Sequence, residues 1–92
     1  MENVHDLIVN ELFTYKSVAA FIYLINAGRE VEIKYNHISA FISKDGSKKQ
    51  CSIWVDKTEQ AFGNVEELLN QAIVQGRRVI DIWEQIEFDT LY

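Results

Sequence analysis

The chain has 92 residues, a length that fits one domain covering residues 1–92. Apolar residues make up 48% and charged residues 25%, which is the composition of a folded globular protein and excludes a disordered chain. The net charge of −5 disfavours general binding to nucleic acid, because an acidic protein and the phosphate backbone repel each other.

Three features of the sequence bear on its cellular location. The longest apolar run covers residues 18–25 and is much shorter than the roughly 20 residues that a membrane-spanning helix needs, so we expect no membrane partner. The single cysteine, Cys51, cannot form an internal disulfide, which fits a reducing compartment. The first residues are acidic, unlike the basic start of a signal peptide. We therefore expect a cytoplasmic protein.

The N-terminal part of the chain predicts a helix. Asn3 can cap it, apolar residues recur at helical spacing from Val4 to Ile22, and Gly28 suits the left-handed conformation just past a helix end. A helix over residues 4–27 would be about 36 Å long. Because this is longer than a domain of this size needs, we expect a break near Lys16 and Ser17.

The middle of the chain predicts a three-stranded antiparallel sheet. Apolar and charged residues alternate from Val31 to Tyr35, and Asn36-His37 can form a two-residue turn that pairs Ile33 with Ala40. A second turn at Asp45-Gly46 would pair Ala40 with Cys51.

Both predicted turns place the same apolar residues on one face of this sheet, which is stronger support than either turn alone. That face would consist of Val31, Ile33, Tyr35, Ile38, Ala40, Ile42, Cys51, Ile53 and Val55. The opposite face would be polar except for Phe41 and Trp54, and antiparallel sheets often leave one face to solvent.

Two C-terminal helices complete the predicted fold. Asn64 and Glu67 form a capping box, and Gly76 can end the helix that they start. The apolar residues between about Arg78 and Glu87 again recur at helical spacing. The predicted class is therefore α+β: an N-terminal helix that can be broken, a three-stranded antiparallel sheet and two C-terminal helices.

Motifs for catalysis or metal binding are not recognisable in the sequence. The candidate zinc ligands His5, His37 and Cys51 are scattered, without the spacing of known zinc sites. The neighbouring acids Glu66 and Glu67 fall in the first turn of a helix, where carboxylates stabilise the helix itself. The glycines do not form a phosphate-binding loop. We therefore expect a protein that is not an enzyme and has no metal or other cofactor.

The preferred functional hypothesis concerns the acidic C-terminal segment. Residues 59–92 hold seven acids and two bases, and in the last part of this segment carboxylates alternate with aromatic residues. Carboxylates spaced in this way can occupy a phosphate-binding groove of another protein, while aromatic residues supply contact energy. The predicted partner-binding residues are Asp81, Trp83, Glu84, Glu87, Phe88 and Asp89.

Two alternatives remain open. The first is a binder of single-stranded nucleic acid, in which lysines near the second turn contact phosphates and two aromatic rings stack on bases. The second is a homodimer that buries Phe41 and Trp54 of the open sheet face. The candidate nucleic-acid-binding residues are Phe41, Lys44, Lys48, Lys49 and Trp54.

Three stretches of the chain carry a resemblance to known proteins: residues 30–36 leading into the first hairpin, residues 64–69, and Gly76 followed by Ile82-Trp83-Glu84. Together they resemble a group of short uncharacterised proteins of Firmicutes, their phages and their mobile elements, over about residues 29–86. The predicted layout, a small acidic three-stranded sheet flanked by helices, also resembles some phage anti-CRISPR proteins at the level of the fold. The likeness to anti-CRISPR proteins implies an inhibitor that binds another protein, and it assigns no functional residue.

Overall fold

The structure, a computed structural model, describes residues 3–47 and 49–92. Two helices come first, α1 (Val4–Tyr15) and α2 (Val18–Asn26), followed by four strands, β1 (Val31–Tyr35), β2 (Ile38–Asp45), β3 (Gln50–Val55) and β4 (Thr58–Phe62). Helix α3 (Val65–Gln71) leads into a short hairpin of β5 (Ile73–Val74) and β6 (Arg77–Arg78). A 3-10 helix (Val79–Gln85) and strand β7 (Glu87–Leu91) end the chain.

The N-terminal helix is broken at the predicted position. Lys16 adopts a left-handed conformation with φ of 52°, and its backbone N–H donates to the last carbonyls of α1. Ser17 then caps α2, because its hydroxyl accepts a hydrogen bond from the backbone N–H of Ala20. The break lets α2 turn back against α1, so that two short helices pack as a pair where one long helix would extend past the sheet.

The main sheet has five antiparallel strands in the order β4-β3-β2-β1-β7. The first hairpin has the predicted register, with Ile33 opposite Ala40. Its turn residues Asn36 and His37 both have positive φ, as a two-residue hairpin turn requires. The last strand, β7, pairs with β1, so the end of the chain returns to the start of the sheet.

The second hairpin does not have the predicted register. Ala40 lies opposite Val55 rather than Cys51, because β2 continues through Asp45 and β3 begins at Gln50, which makes the connection longer than the predicted two residues. The carboxylate of Asp45 accepts bonds from the backbone N–H and the hydroxyl of Ser47, which shapes this longer loop. The shift is an even number of residues, so each side chain stays on its predicted face.

The predicted three-stranded sheet with two C-terminal helices is wrong. Strands β4 and β7 extend the sheet to five, and residues 73–78 form a two-stranded hairpin about Gln75-Gly76 instead of ending a helix. Both turn residues have positive φ, so Gly76 serves a hairpin turn rather than a helix cap. Only α3 is an α-helix in this part of the chain, since the following helical segment is 3-10.

The core lies between the helices and the inner face of the sheet. Strand residues of the predicted apolar face meet α2, α3 and the 3-10 helix there. Leu12 is the one fully buried side chain that α1 contributes among the residues described. The largest buried side chains include Phe21, Leu24, Ile25, Ile33, Ile42, Ile53, Leu68, Ile82 and Ile86. The helices of the described chain thus lie on one side of the sheet, and none of them covers the opposite face.

Candidate binding surface

The outer face of the sheet, defined here as the side of the five strands turned away from the helices, carries two aromatic residues at its centre, one exposed and one half-buried. Phe41 of β2 and Trp54 of β3 lie directly opposite each other. The Trp54 side chain is 41% exposed, which shows that no helix of the described chain covers this point. Tyr92 adds a third ring, whose centroid lies 5.8 Å from that of Phe41.

Carboxylates flank the aromatic pair on both sides. Glu59 of β4 lies opposite Trp54, and Glu32 of β1 lies opposite Phe41. Directly opposite residues of antiparallel strands have Cβ atoms about 4.5–5.5 Å apart. The strand register therefore builds one row across the sheet, in the order Glu59, Trp54, Phe41 and Glu32. The hydroxyl of Ser52 donates a hydrogen bond to the Glu59 carboxylate, which holds that carboxylate against the same face.

A shallow cleft of about 440 Å³ lies beside this row. Its lining includes Glu32, Phe41, Trp54 and Asp56, together with His37 and the neighbouring strand residues of β2. Asp56 follows β3 in a turn with φ of 55°, a conformation that Asp tolerates better than most residues. The cleft thus combines two aromatic rings with two carboxylates.

Acids outnumber bases on the outer face. Glu87 and Asp89 of β7 lie on this side beside Lys34, the one basic residue among the outward-facing strand positions that the structure describes. Lys34 is itself paired with Asp89 at a distance of 3.7 Å. The surface therefore presents an excess of negative charge, which favours a basic partner and disfavours phosphate.

The structure divides the predicted partner-binding residues of the C-terminal segment into two groups. Trp83 is only 6% exposed and donates its indole N–H to the Lys16 carbonyl at 2.7 Å. Phe88 points to the inner side and packs on Trp83 and Phe21, with ring centroids 5.2 Å and 6.2 Å apart. These two aromatic residues belong to the core, so they do not form one surface with the acids.

The acids of the same segment are exposed but lie in different places. Glu84 lies on the 3-10 helix, and Glu87 and Asp89 lie on β7 at the outer sheet face. Asp81 is engaged by Arg78, whose Nε lies 2.8 Å from the carboxylate. The structure therefore brings two of the four predicted acids, Glu87 and Asp89, onto the same face as Phe41 and Trp54.

The contact between Arg78 and Asp81 makes a testable prediction about ionisation. The hydrogen bond from Arg78 holds the pKa of Asp81 below its ordinary value, and the charges of Arg78 and Arg77 act in the same direction. A lowered carboxyl pKa adds stability above the ordinary pKa, and this contribution is lost as the pH falls. We expect Arg78→Gln to raise the Asp81 pKa toward its ordinary value, as measured by an NMR carboxyl titration.

The control for this prediction is Arg77→Gln, which removes a neighbouring charge and leaves the hydrogen bond in place. It should raise the Asp81 pKa less than Arg78→Gln does, because the hydrogen bond is the largest cause of the shift. Equal effects of the two variants would show that the hydrogen bond does not dominate.

The predicted nucleic-acid-binding residues do not share one surface. Phe41 and Trp54 lie on the outer face, whereas Lys44 alternates with them along β2 and lies opposite Cys51 on the inner side. Lys49 is exposed in the loop between β2 and β3, and Lys48 lies outside the described residues. Binding by these lysines remains a prediction, but within the described chain the structure does not combine Lys44 with the two rings.

Cys51 has the buried position that the sequence predicts. It lies on the inner face of β3, and burial raises the pKa of its thiol, while the nearby Lys44 acts in the opposite direction. A thiol with a raised pKa is a weak nucleophile. No cluster of three or more His, Cys, Asp or Glu residues suited to a metal ion occurs in residues 3–47 and 49–92.

The sequence did not identify several residues of the outer face as site residues. The sequence places Glu32 on the correct face. Its position beside Phe41 indicates a binding surface only together with the other acids, which the structure brings to the same face. Glu59 was missed because β4 was not predicted, and Tyr92 because the end of the chain was not assigned to a strand. The available signal was the alternation of Thr58, Gln60 and Phe62 with Glu59 and Ala61, which is weak because most of these residues are polar.

In the described part of the chain, none of the helices has both the length and the apolar character needed to cross a membrane.

Comparison with known proteins identifies no relative of this chain. No protein family, no curated protein and no solved structure matches the chain.

Proposed function

We propose that this protein is a non-catalytic binding module that uses the outer face of its sheet to contact a basic surface of another protein. The observation that carries the proposal is the row of Glu59, Trp54, Phe41 and Glu32 on a face without a covering helix. Protein interfaces typically have aromatic residues at their centre and polar residues around the rim.

The excess of carboxylates supports a partner that binds nucleic acid. A groove that binds phosphates is basic, and a surface of fixed carboxylates can occupy it in place of the phosphates. Glu87 and Asp89, two acids of the C-terminal segment, extend the negative region beyond the central row. We further propose that such binding inhibits the partner, because a phosphate-binding groove occupied by carboxylates is closed to nucleic acid.

The like charges of the outer face argue against a homodimer through this surface. In a symmetric dimer each acid would approach an acidic surface of the second copy, and like charges brought together cost free energy. Sedimentation at high protein concentration tests this point: we expect a monomer, whereas a dimer that dissociates on replacement of Trp54 would favour the homodimer.

The binding proposal can be tested with a peptide of alternating lysine and glycine as a simple basic probe. We expect NMR titration of the ¹⁵N-labelled protein to shift backbone amides of all five strands of the main sheet, with affinity falling as salt rises. The variant Glu32→Lys/Glu87→Lys reverses two outer-face charges and should weaken binding about tenfold, which corresponds to about 1.4 kcal/mol.

The matched control is Glu11→Lys/Glu66→Lys, which changes the net charge by the same amount on exposed positions of α1 and α3. It should bind the peptide with an affinity within about twofold of the unaltered protein at moderate salt. Equal weakening by both double variants would show that only the total charge matters. If Glu84→Lys alone abolishes binding, the site lies on the 3-10 helix and the outer-face proposal is wrong.

A further inference from the structure

We infer that the cleft beside Phe41 and Trp54 recognises an arginine side chain of the basic partner and prefers it to lysine. This inference rests on the proposed function, because it assigns a chemical specificity to the same face. The cleft has a volume of about 440 Å³ and is shallow, so it suits the end of one long side chain rather than a folded element.

The first step concerns the aromatic rings. A cation placed over the face of Trp or Phe is attracted by the negative charge density of the ring, and Trp is the strongest of the aromatic residues in this respect. Trp54 is exposed at the centre of the sheet, and Phe41 lies directly opposite it. The contact between Phe41 and Tyr92 supports the Phe41 ring from its other side.

The second step concerns the carboxylates around the rings. Glu59 lies opposite Trp54, and Glu32 and Asp56 line the cleft. A guanidinium group stacked on Trp54 can therefore donate hydrogen bonds to carboxylates at its edge. The single outward-facing lysine of the described strands, Lys34, is paired with Asp89, so it does not neutralise these acids.

The third step separates arginine from lysine. The guanidinium group is planar, stacks on aromatic faces, is weakly hydrated and donates in a fork that matches a carboxylate. The lysine ammonium group is a compact and strongly hydrated point charge. A cleft that pairs ring faces with carboxylates therefore favours arginine, whereas an acidic surface without rings attracts both residues almost equally.

The test compares two peptides of equal length and charge, one of alternating arginine and glycine and the other of alternating lysine and glycine. We expect the arginine peptide to bind about fivefold more tightly. The chain has only two tryptophans, so two indole N–H signals report separately in the NMR spectrum. The Trp54 signal should shift with the arginine peptide, and the buried Trp83 signal should not.

The decisive variant is Trp54→Leu, which keeps an apolar side chain and removes the aromatic ring. It should abolish the preference for arginine and leave affinity for the lysine peptide within about twofold. Tyr23→Leu is the matched control, because Tyr23 is an exposed aromatic residue on α2, away from the cleft. This control should retain the preference for arginine.

The outcomes separate this inference from the proposed function. If both peptides shift the outer-face amides with equal affinity, or if Trp54→Leu keeps the arginine preference, the arginine inference is wrong and the binding proposal stands. If neither peptide shifts these amides, the proposed function itself is wrong. Binding of single-stranded oligonucleotides at the Trp54 signal would contradict both, because it would require the carboxylate-flanked rings to accept phosphates.

Discussion

Replacing Trp83 by alanine is expected to lower the free energy of unfolding by about 3–5 kcal/mol, the usual cost of removing a large buried aromatic residue. The Trp83 ring packs edge-on against Phe21 at 5.3 Å and contacts Phe88 on another side. Its indole N–H also satisfies the Lys16 carbonyl at the break between α1 and α2. The measurement is chemical denaturation with urea, followed by circular dichroism.

The Trp83 prediction has a direct control in the second tryptophan. Trp54→Ala should lower the free energy of unfolding by only about 1 kcal/mol, because it removes the cross-strand contact with Phe41 but leaves no buried cavity. The same Trp54 variant should weaken binding of the peptide of alternating arginine and glycine. If Trp83→Ala unfolds at the same urea concentration as the unaltered protein, Trp83 is not a core residue, and its predicted role in partner binding is favoured.

We expect the Trp83→Ala replacement to destabilise the α1–α2 pair as well as the core. Lys16 contributes two contacts to the 3-10 helix: its carbonyl accepts from Trp83, and its Nζ donates to the Glu84 carbonyl at 2.8 Å. These two bonds join the α1–α2 break to the segment that precedes β7. Removing the indole leaves the Lys16 carbonyl without that donor, which adds a desolvation cost to the cavity cost.

Replacing Leu12 by alanine is the second change with a large expected effect, about 2–5 kcal/mol of unfolding free energy. Leu12 is fully buried, whereas the other side chains that α1 contributes in the described chain are half-buried or exposed. Helix α1 is short, and isolated helices of this length are marginal in water, so its order depends on packing. We expect amide hydrogen exchange of α1 to rise more than that of the sheet.

Phe13→Ala provides the matched control for Leu12, since Phe13 is the next residue and its side chain is exposed. Shortening it should change the free energy of unfolding by about 0.5 kcal/mol or less. Equal losses at the two positions would indicate that α1 packs in a different orientation, with its buried face rotated toward Phe13.

Local patterns in the sequence predicted the elements whose residues interact at short range. The break at Lys16-Ser17 follows from a helical pattern too long for one helix, and the structure adds that Ser17 caps α2. The first hairpin follows from two turn residues that tolerate positive φ, since a two-residue turn leaves one possible register. Alternation predicted the inner face, because the side-chain period of a strand is two residues.

Other elements were beyond these patterns because their signals are ambiguous or weak. Asp45-Gly46 resembles a two-residue turn. In the structure Asp45 is instead the last residue of β2, paired with Gln50, and the connection that follows is longer. The spacing of Val79, Ile82, Trp83 and Ile86 does not separate an α-helix from a 3-10 helix, because residues three apart lie on one face in both. Gly76 fits a helix end and a hairpin turn equally well by its freedom at positive φ.

The candidate surface shows most clearly what only the tertiary structure decided. The sequence by itself determined that Phe41 and Trp54 share one face of a sheet and that the chain is acidic, since alternation and composition are local properties. It did not determine which acids stand beside those rings. Glu59 reaches Trp54 through β4, and Glu87 and Asp89 reach the outer face through the pairing of β7 with β1. That pairing joins residues far apart in the chain. It depends on burial of Phe88 and Leu91 against a core built from the other elements, and a local sequence pattern cannot predict such long-range packing.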